Sequence, residues 1–236
     1  MSASERRGAT RTAVVWDVLR PILGSGSRDV LDIGGGTGGF AVKVAELGHR
    51  VTVVDPSPDA LAALARRARE IGVEVAGQQG DLSSLVEVAG ADSADVVLCH
   101  GVLEVVDDPA AGLATIREVL RPGGTLSLLV AQRHAAVLAR AMAGHFQQAL
   151  ALLDPANPPP GRSGHRFTAD ETAGLLADAG FEIASVHGIR VFADLVPGSL
   201  LDLEPGATAA LVELERAVAD RPEYLPLATQ LHLVAT

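Results

Sequence analysis

The sequence predicts an α/β fold in which short parallel strands alternate with helices. Three observations predict it. The apolar run Val30–Ile33 ends in the glycine cluster Gly34–Gly39, and the helix-like stretch Phe40–Leu47 follows at once. A second short strand, Arg50–Asp55, ends in an acid and is followed by an amphipathic helix. The alternation then continues as far as Ala131. Strand, glycine turn and helix start are the parts that hold a nucleotide-type cofactor, because glycines let a ligand lie against bare backbone and the helix start offers free N–H groups.

In chain order, Thr12–Leu23 reads as a helix with Val14, Val15, Val18, Leu19, Ile22 and Leu23 on one side. Gly24–Ser27 is a loop and Arg28–Ile33 the first strand. Gly34, Gly36 and Gly39 satisfy G-x-G-x-x-G, a spacing shared by NAD-type and S-adenosylmethionine (SAM) sites. Asp32 tips the balance. A carboxylate at the strand end repels a pyrophosphate and suits the ammonium and sulfonium of SAM. Asp55 ends the second strand about 20 residues after the first glycine, where an acid meets ribose hydroxyls. A simple helix cap before Pro56-Ser57-Pro58 is the alternative.

Asp59–Ile71 is an amphipathic helix with a wet arginine face, and Val73–Ala76 suggests a third strand. Gly80-Asp81 follows, a place where SAM enzymes commonly hold the adenine amino group, a surface turn being the alternative. Ala94–Cys99 is a fourth strand with the apolar run Val96–Cys99, which puts His100 at the carboxyl edge of the sheet, in the ligand crevice. Cys99 belongs to the core. Asp107-Asp108-Pro109 opens a helix running to Leu120, since an acid caps and proline fits the first turn. Arg121-Pro122-Gly123-Gly124 ends that helix before a fifth strand, Thr125–Ala131.

His134–Leu153 is one long helical stretch. Asp154–Arg166 is proline-rich and basic at its end, and reads as a substrate cover or a plain connector. A helix from Thr168 or Ala169 stops at Gly180; Phe181–Val191 alternates like a strand, Ala207–Ala219 is helical and Leu227–Val234 is the last strand.

With 236 residues, 48% of them apolar, the chain can bury a full core, and it contains no apolar run long enough for a membrane span. Met1–Arg11 lacks the apolar stretch of a signal peptide, and a single cysteine suits a reducing, cytoplasmic setting. A net charge of −10 works against a broad grip on nucleic acid without excluding a local basic patch. The seven histidines lack ligand spacing, so no metal is expected.

The order of elements resembles the class I SAM-dependent methyltransferases. The residues that carry the resemblance are Leu31–Gly38, Asp55, Gly80-Asp81, the strand ending at His100, and Val119–Gly124. It implies a Rossmann-like, seven-stranded, mostly parallel sheet with helices on both faces and one antiparallel strand. The likeness narrows to the tRNA 5-carboxymethoxyuridine methyltransferase family through Gly8–Arg11 with Trp16, His100–Glu104, Leu120–Gly124 with Leu126–Leu128, and Ala143–Phe146. Its specific part is C-terminal: Gly188–Phe192, Leu214-Glu215 and Pro222–Tyr224.

That resemblance implies SAM as cofactor, held by Arg11 on its carboxylate, Asp32, Gly34, Gly35, Gly36 and Asp55 along methionine and ribose, Gly80 and Asp81 at adenine, and His100 beside it. It implies a tRNA partner, a small anionic metabolite being the alternative, and no membrane. Within one domain, 1–27 is an N-terminal helical cap, 28–131 the cofactor core, 132–180 a helical substrate or lid insertion and 181–236 a strand-helix-strand close. A carboxylate acceptor is already ionised and asks for a cation in place of a base. Arg190 and Arg133, with Arg162 or Arg166, are therefore the candidate catalytic residues, which position an anionic acceptor. The chain departs from the family at Ala131 and Gln132, which replace an aromatic and an asparagine, at Val105, which replaces a tryptophan, and in the proline-rich loop, which replaces a lysine-rich linker. A SAM-binding regulator without catalysis and an NAD-linked enzyme are the further alternatives.

Overall fold

Val30, Leu31, Asp32 and Ile33 are all buried, the mark of an interior strand with helices on both faces. The computed structural model describes residues 3–24, 26–153, 164–203 and 206–236, with the side chains of 3–11, 198, 202 and 203 left aside. The chain starts with α1 (Ala3–Leu23), β1 (Asp29–Ile33), α2 (Ala41–Glu46), β2 (Arg50–Asp55), α3 (Pro58–Ile71) and β3 (Ala76–Gln79). It continues with α4 (Leu85–Ala89), β4 (Ala94–His100), α5 (Pro109–Val119) and β5 (Leu120–Ala131). Then come α6 (Arg133–Met142), α7 (Phe146–Leu153), α8 (Ala169–Asp178), β6 (Ile183–Ile189), α9 (Gly198–Leu203), α10 (Ala207–Val218) and β7 (Gln230–Ala235).

Among the described residues seven strands form one sheet in the order β3-β2-β1-β4-β5-β7-β6. The β1–β2, β2–β3, β1–β4 and β4–β5 pairs are parallel. Just beyond the ends of β6 and β7, Glu182 and Thr236 exchange both backbone N–H···O bonds, at 2.9 and 3.0 Å, the pattern of an antiparallel pair. The expected mixed sheet is therefore the observed one. The chain divides into two compact units. One comprises Ile22–Leu129, Ala173–Ser185 and Leu233–Thr236; the other comprises Met1–Pro21, Val130–Thr172 and Val186–His232.

Several elements differ from the sequence reading. The third strand is Ala76–Gln79, not Val73–Ala76. The N–H of Val73 still closes α3 on the Ala68 carbonyl at 3.0 Å, behind a left-handed Gly72. All four residues of β3 are exposed, so this edge strand has no apolar pattern to read. The long helix is two helices, because Gly144 at φ 76 breaks the ladder between α6 and α7. Arg121–Gly124 lies within β5: the β4 pairing passes from Ala94↔Leu120 to Val96↔Thr125 across an irregularity. β6 stops at Ile189, and β7 starts at Gln230 because Leu225–Leu227 coils into a 3-10 turn. The short helices α4 and α9 had no counterpart in the sequence reading. Residues 154–163 of the proline-rich loop, with Pro158–Pro160 and Arg162, lie outside the described residues.

Arg121 explains its own motif. Its guanidinium Nη1 pairs with Asp95 at 2.7 Å and Asp29 at 2.9 Å, while Arg50 Nε meets Asp29 at 2.6 Å. These residues stand at the starts of β1, β2 and β4 and in the irregular opening of β5, so this ion cluster fastens the amino edge of the sheet and leaves the carboxyl edge for ligand.

Candidate functional site

The turn after β1 packs against itself through glycines. Gly34, Gly36 and Gly38 have φ of 65, 54 and 80°. Gly38 N–H donates to the Gly35 carbonyl at 2.9 Å, and Gly34 N–H to the Val54 carbonyl at 2.8 Å. Gly35 needs no special φ; it is glycine because a Cβ there would stand 2.6 Å from Asp32 Oδ2. The Asp32 carboxyl thus fills the space that a side chain at 35 would need.

Asp32 is buried, and its Oδ2 has no hydrogen-bond partner. Burial pushes its carboxyl up to about 7, with the nearby Asp55 charge adding and the Ala41 N–H opposing. A buried carboxyl oxygen without a partner beside a bare-backbone turn suits a cation, since an incoming ammonium would supply the missing donor and charge together. This is the fit expected for the methionine end of SAM.

Asp55 is buried at the end of β2, and both its oxygens are used. Oδ2 accepts from Gly36 N–H and Oδ1 from Ser57 N–H, each at 2.9 Å. The helix cap is Ser57, whose Oγ accepts from Ala60 N–H at 3.2 Å. Asp55 therefore couples the glycine turn to the next loop, and each oxygen retains lone-pair capacity for a hydroxyl. Gly80 N–H reaches the Asp55 carbonyl at 3.3 Å, and a Cβ on Gly80 would meet Ser84 Oγ at 2.9 Å. Asp81 caps its own surface turn, with Oδ1 accepting from the Ser83 N–H and hydroxyl at 2.9 and 2.6 Å. Those Ser83 bonds hold its carboxyl below the usual range.

His100 ends β4 with Nε2 2.9 Å from Ser127 Oγ on β5 and its ring edge-on to Phe40, centroids 4.9 Å apart. Burial lowers its pKa to about 4, so it is a neutral imidazole at physiological pH. The core unit thus gathers Asp32, Gly34, Gly35, Gly36, Asp55, Gly80, Asp81 and His100 around the ends of β1, β2, β3 and β4. Ser127 and Phe40 were missed. Ser127 is the one polar residue in the run Leu126–Val130, which is a readable signal. The Arg11 side chain is outside the described ones.

The other unit holds both candidate arginines. Arg133 opens α6 and grips Glu171 with two bonds, each 2.7 Å, and the Arg166 carbonyl at 2.9 Å. Glu171 also closes a capping box at α8, where its Oε2 accepts from Thr168 N–H and its own N–H donates to Thr168 Oγ1. Arg133 is therefore a clamp between α6, the backbone at Arg166 and α8. Gln132, one of the departures from the family, caps α6 through Oε1 and donates Nε2–H to the Leu225 carbonyl at 2.7 Å. Val105, another departure, is exposed.

Arg190 sits just past β6 at φ 61. Its Nε and Nη2 both reach Asp194 Oδ2, and Nη1 lies 3.3 Å from Gln230 Oε1. The three C-terminal motifs converge here. Buried Glu215 accepts from the N–H groups of Val191, Phe192 and Ala193 at 2.9, 2.8 and 2.7 Å. Tyr224 meets Phe192 edge-on, 5.9 Å between centroids. Among the described residues no cluster of metal-ligating side chains exists, and no helix is long and apolar enough to cross a membrane.

Comparison with known proteins agrees with this geometry. A family model described as a methyltransferase domain matches residues 31–126. The tRNA 5-carboxymethoxyuridine methyltransferase of Escherichia coli (strain K12) is 31% identical, covering 97% of this chain and 88% of that protein. A ubiquinone biosynthesis O-methyltransferase of Xanthomonas axonopodis is 33% identical over 68% of this chain and 65% of that protein. Among solved structures, a SAM-dependent methyltransferase from Methanosarcina mazei superposes with a TM-score of 0.65 at 20% identity, over 92% of this chain and 95% of that one, a likeness of fold.

Proposed function

We propose for this chain, which belongs to the class I SAM-dependent methyltransferases, a specific acceptor: the carboxylate of 5-carboxymethoxyuridine at the wobble position of a tRNA. Its cofactor is SAM. The observation that carries the acceptor reading is the extent of the likeness. The Escherichia coli tRNA enzyme aligns over 97% of this chain, including the C-terminal motifs around Arg190, whereas the Xanthomonas ubiquinone enzyme aligns over 68%.

SAM, when bound, supplies an electrophilic methyl group. The chain's residues bind and orient. We assign Asp32 to the ammonium, the Gly34–Gly36 backbone to the methionine portion, Asp55 to the ribose hydroxyls, and Gly80 with Asp81 to adenine. Arg11 is assigned to the cofactor carboxylate. His100, neutral and fixed by Ser127, contributes shape and a dipole without a charge that would repel a sulfonium. The acceptor carboxylate is ionised near neutral pH and requires no general base. Its anchor in this reading is Arg190, whose guanidinium offers a fork to a carboxylate. Arg133 holds Glu171, which is itself locked into the capping box of α8, so we assign it the structural clamp.

A second reading, a small anionic metabolite as acceptor, draws on the net charge of −10, which opposes a phosphate backbone. Methyl-labelled SAM incubated with host tRNA, followed by digestion to nucleosides, separates the two. Label on a wobble uridine derivative, released by mild alkali, is the expected result. Unlabelled tRNA with SAM binding intact favours the metabolite.

A further inference from the structure

Arg190 occupies the left-handed region at φ 61, which a residue bearing a Cβ enters at a cost and keeps only where its surroundings over-determine it. Glycine would hold this turn without strain. The chain keeps an arginine and surrounds it with restraints.

On one side Glu215, 1% exposed, takes the next three backbone N–H groups with its two oxygens. On the other side the Arg190 carbonyl accepts from Thr229 N–H at 3.4 Å and Thr229 Oγ1 at 3.1 Å. Five hydrogen bonds therefore bracket one strained residue. Successive amides around an anion form a nest, and here the anion is the chain's own carboxylate. Beyond the turn, one oxygen of Asp194 receives both Nε and Nη2 of Arg190.

We propose that Glu215 is a positioning residue for Arg190: by fixing the amides of 191–193 it presets the guanidinium for an anionic acceptor, and Asp194 holds that guanidinium until the acceptor's carboxylate replaces it. The inference rests on the acceptor reading given above. It extends that reading by naming the device that keeps the anchor rigid and the internal competitor that the acceptor displaces. A neutral acceptor gains nothing from the exchange, so Asp194 also sets specificity for anions.

The test pairs a chemical readout with a kinetic one. Phenylglyoxal modification of Arg190, followed by peptide mass spectrometry, reports how firmly the guanidinium is held and needs no acceptor. In Glu215→Gln one carboxylate oxygen becomes a donor facing amide donors, so the modification rate should rise about tenfold, the loss of a charge-assisted hydrogen bond. The acceptor kcat/KM should fall in parallel while SAM affinity is unchanged. Asp194→Asn should speed modification and lower KM for the anionic acceptor, which a merely structural Asp194 would not do. If Glu215→Gln does not fold, Thr229→Val removes only a hydroxyl donor and should raise the rate about threefold. Unchanged Arg190 reactivity in a folded Glu215 or Thr229 variant, or a raised KM in Asp194→Asn, overturns the proposal. Wild-type protein that leaves tRNA unlabelled overturns the acceptor reading instead, and the reactivity ratios still judge the Glu215 restraint.

Discussion

Asp32 Oδ2 lies 2.6 Å from where a Cβ on Gly35 would stand, and it has no hydrogen-bond partner of its own. Burial holds the Asp32 carboxyl at about 7, well above its ordinary 3.8. In the proposed assignment the ionised form receives the SAM ammonium, so affinity should fall about tenfold between pH 8 and pH 6. Calorimetry in buffers of different ionisation enthalpy should show proton release on binding near pH 7. Asp32→Asn should bind more weakly and lose this pH dependence.

The same group sets a stability trend. The folded chain keeps the Asp32 proton up to about pH 7, while the unfolded chain loses it near 4. Its contribution is therefore complete below about pH 4 and is lost as pH rises through 7, by up to about 4 kcal/mol. Unliganded Asp32→Asn should melt higher than wild type at pH 8, in spite of its weaker cofactor binding.

Adjacent glycines should fail for different reasons. At Gly36 a Cβ finds nothing nearer than 3.9 Å, but φ is 54°. Gly36→Ala should cost about 1 to 2 kcal/mol of stability from backbone strain. At Gly35 an added methyl displaces the Asp32 carboxylate, and Gly35→Ala should weaken SAM binding at least about tenfold by loss of one charge-assisted bond. Thermal melts and equilibrium dialysis on both variants check the contrast.

Arg133 and Glu171 should behave as a fold contact. Glu171 is 38% exposed at its side chain, so solvent screening keeps the coupling near about 1 kcal/mol in a double-mutant cycle. Arg133→Lys should not restore it, because an ammonium cannot match two carboxylate oxygens at once. SAM affinity should be unaffected in every corner of the cycle.

Arg190→Gly should be more stable than Arg190→Ala by about 1 kcal/mol, because glycine adopts φ 61 freely. Both should lose acceptor turnover and retain SAM binding. Equal melting temperatures for the two would mean that the turn carries no strain.

Much of the candidate cofactor site is legible in the sequence, because its chemistry is local. The run Val30–Ile33, apolar except for Asp32 and followed by six residues of which five are glycine, leaves few other uses. Asp55 and His100 were placed by the same logic, each at the carboxyl end of a strand. Where local signals are weak, the sequence alone does not locate the element. β3 was misplaced because an edge strand with four exposed residues has no hydrophobic period. The α6–α7 break was passed over because one glycine interrupts an otherwise apolar pattern.

By itself the sequence determined the alternation of strands and helices, the glycine turn with its acid, and the family, since all of these rest on neighbours within a few residues. Tertiary structure decided what the side chains do with their hydrogen bonds. Asp55 serves the turn of Gly36, Arg133 is matched to Glu171 across 38 residues of chain, and the amides after Arg190 find Glu215 across 22 to 24. Those pairings depend on satisfying buried charge in three dimensions, and no spacing along the chain encodes which carboxylate will be the one within reach.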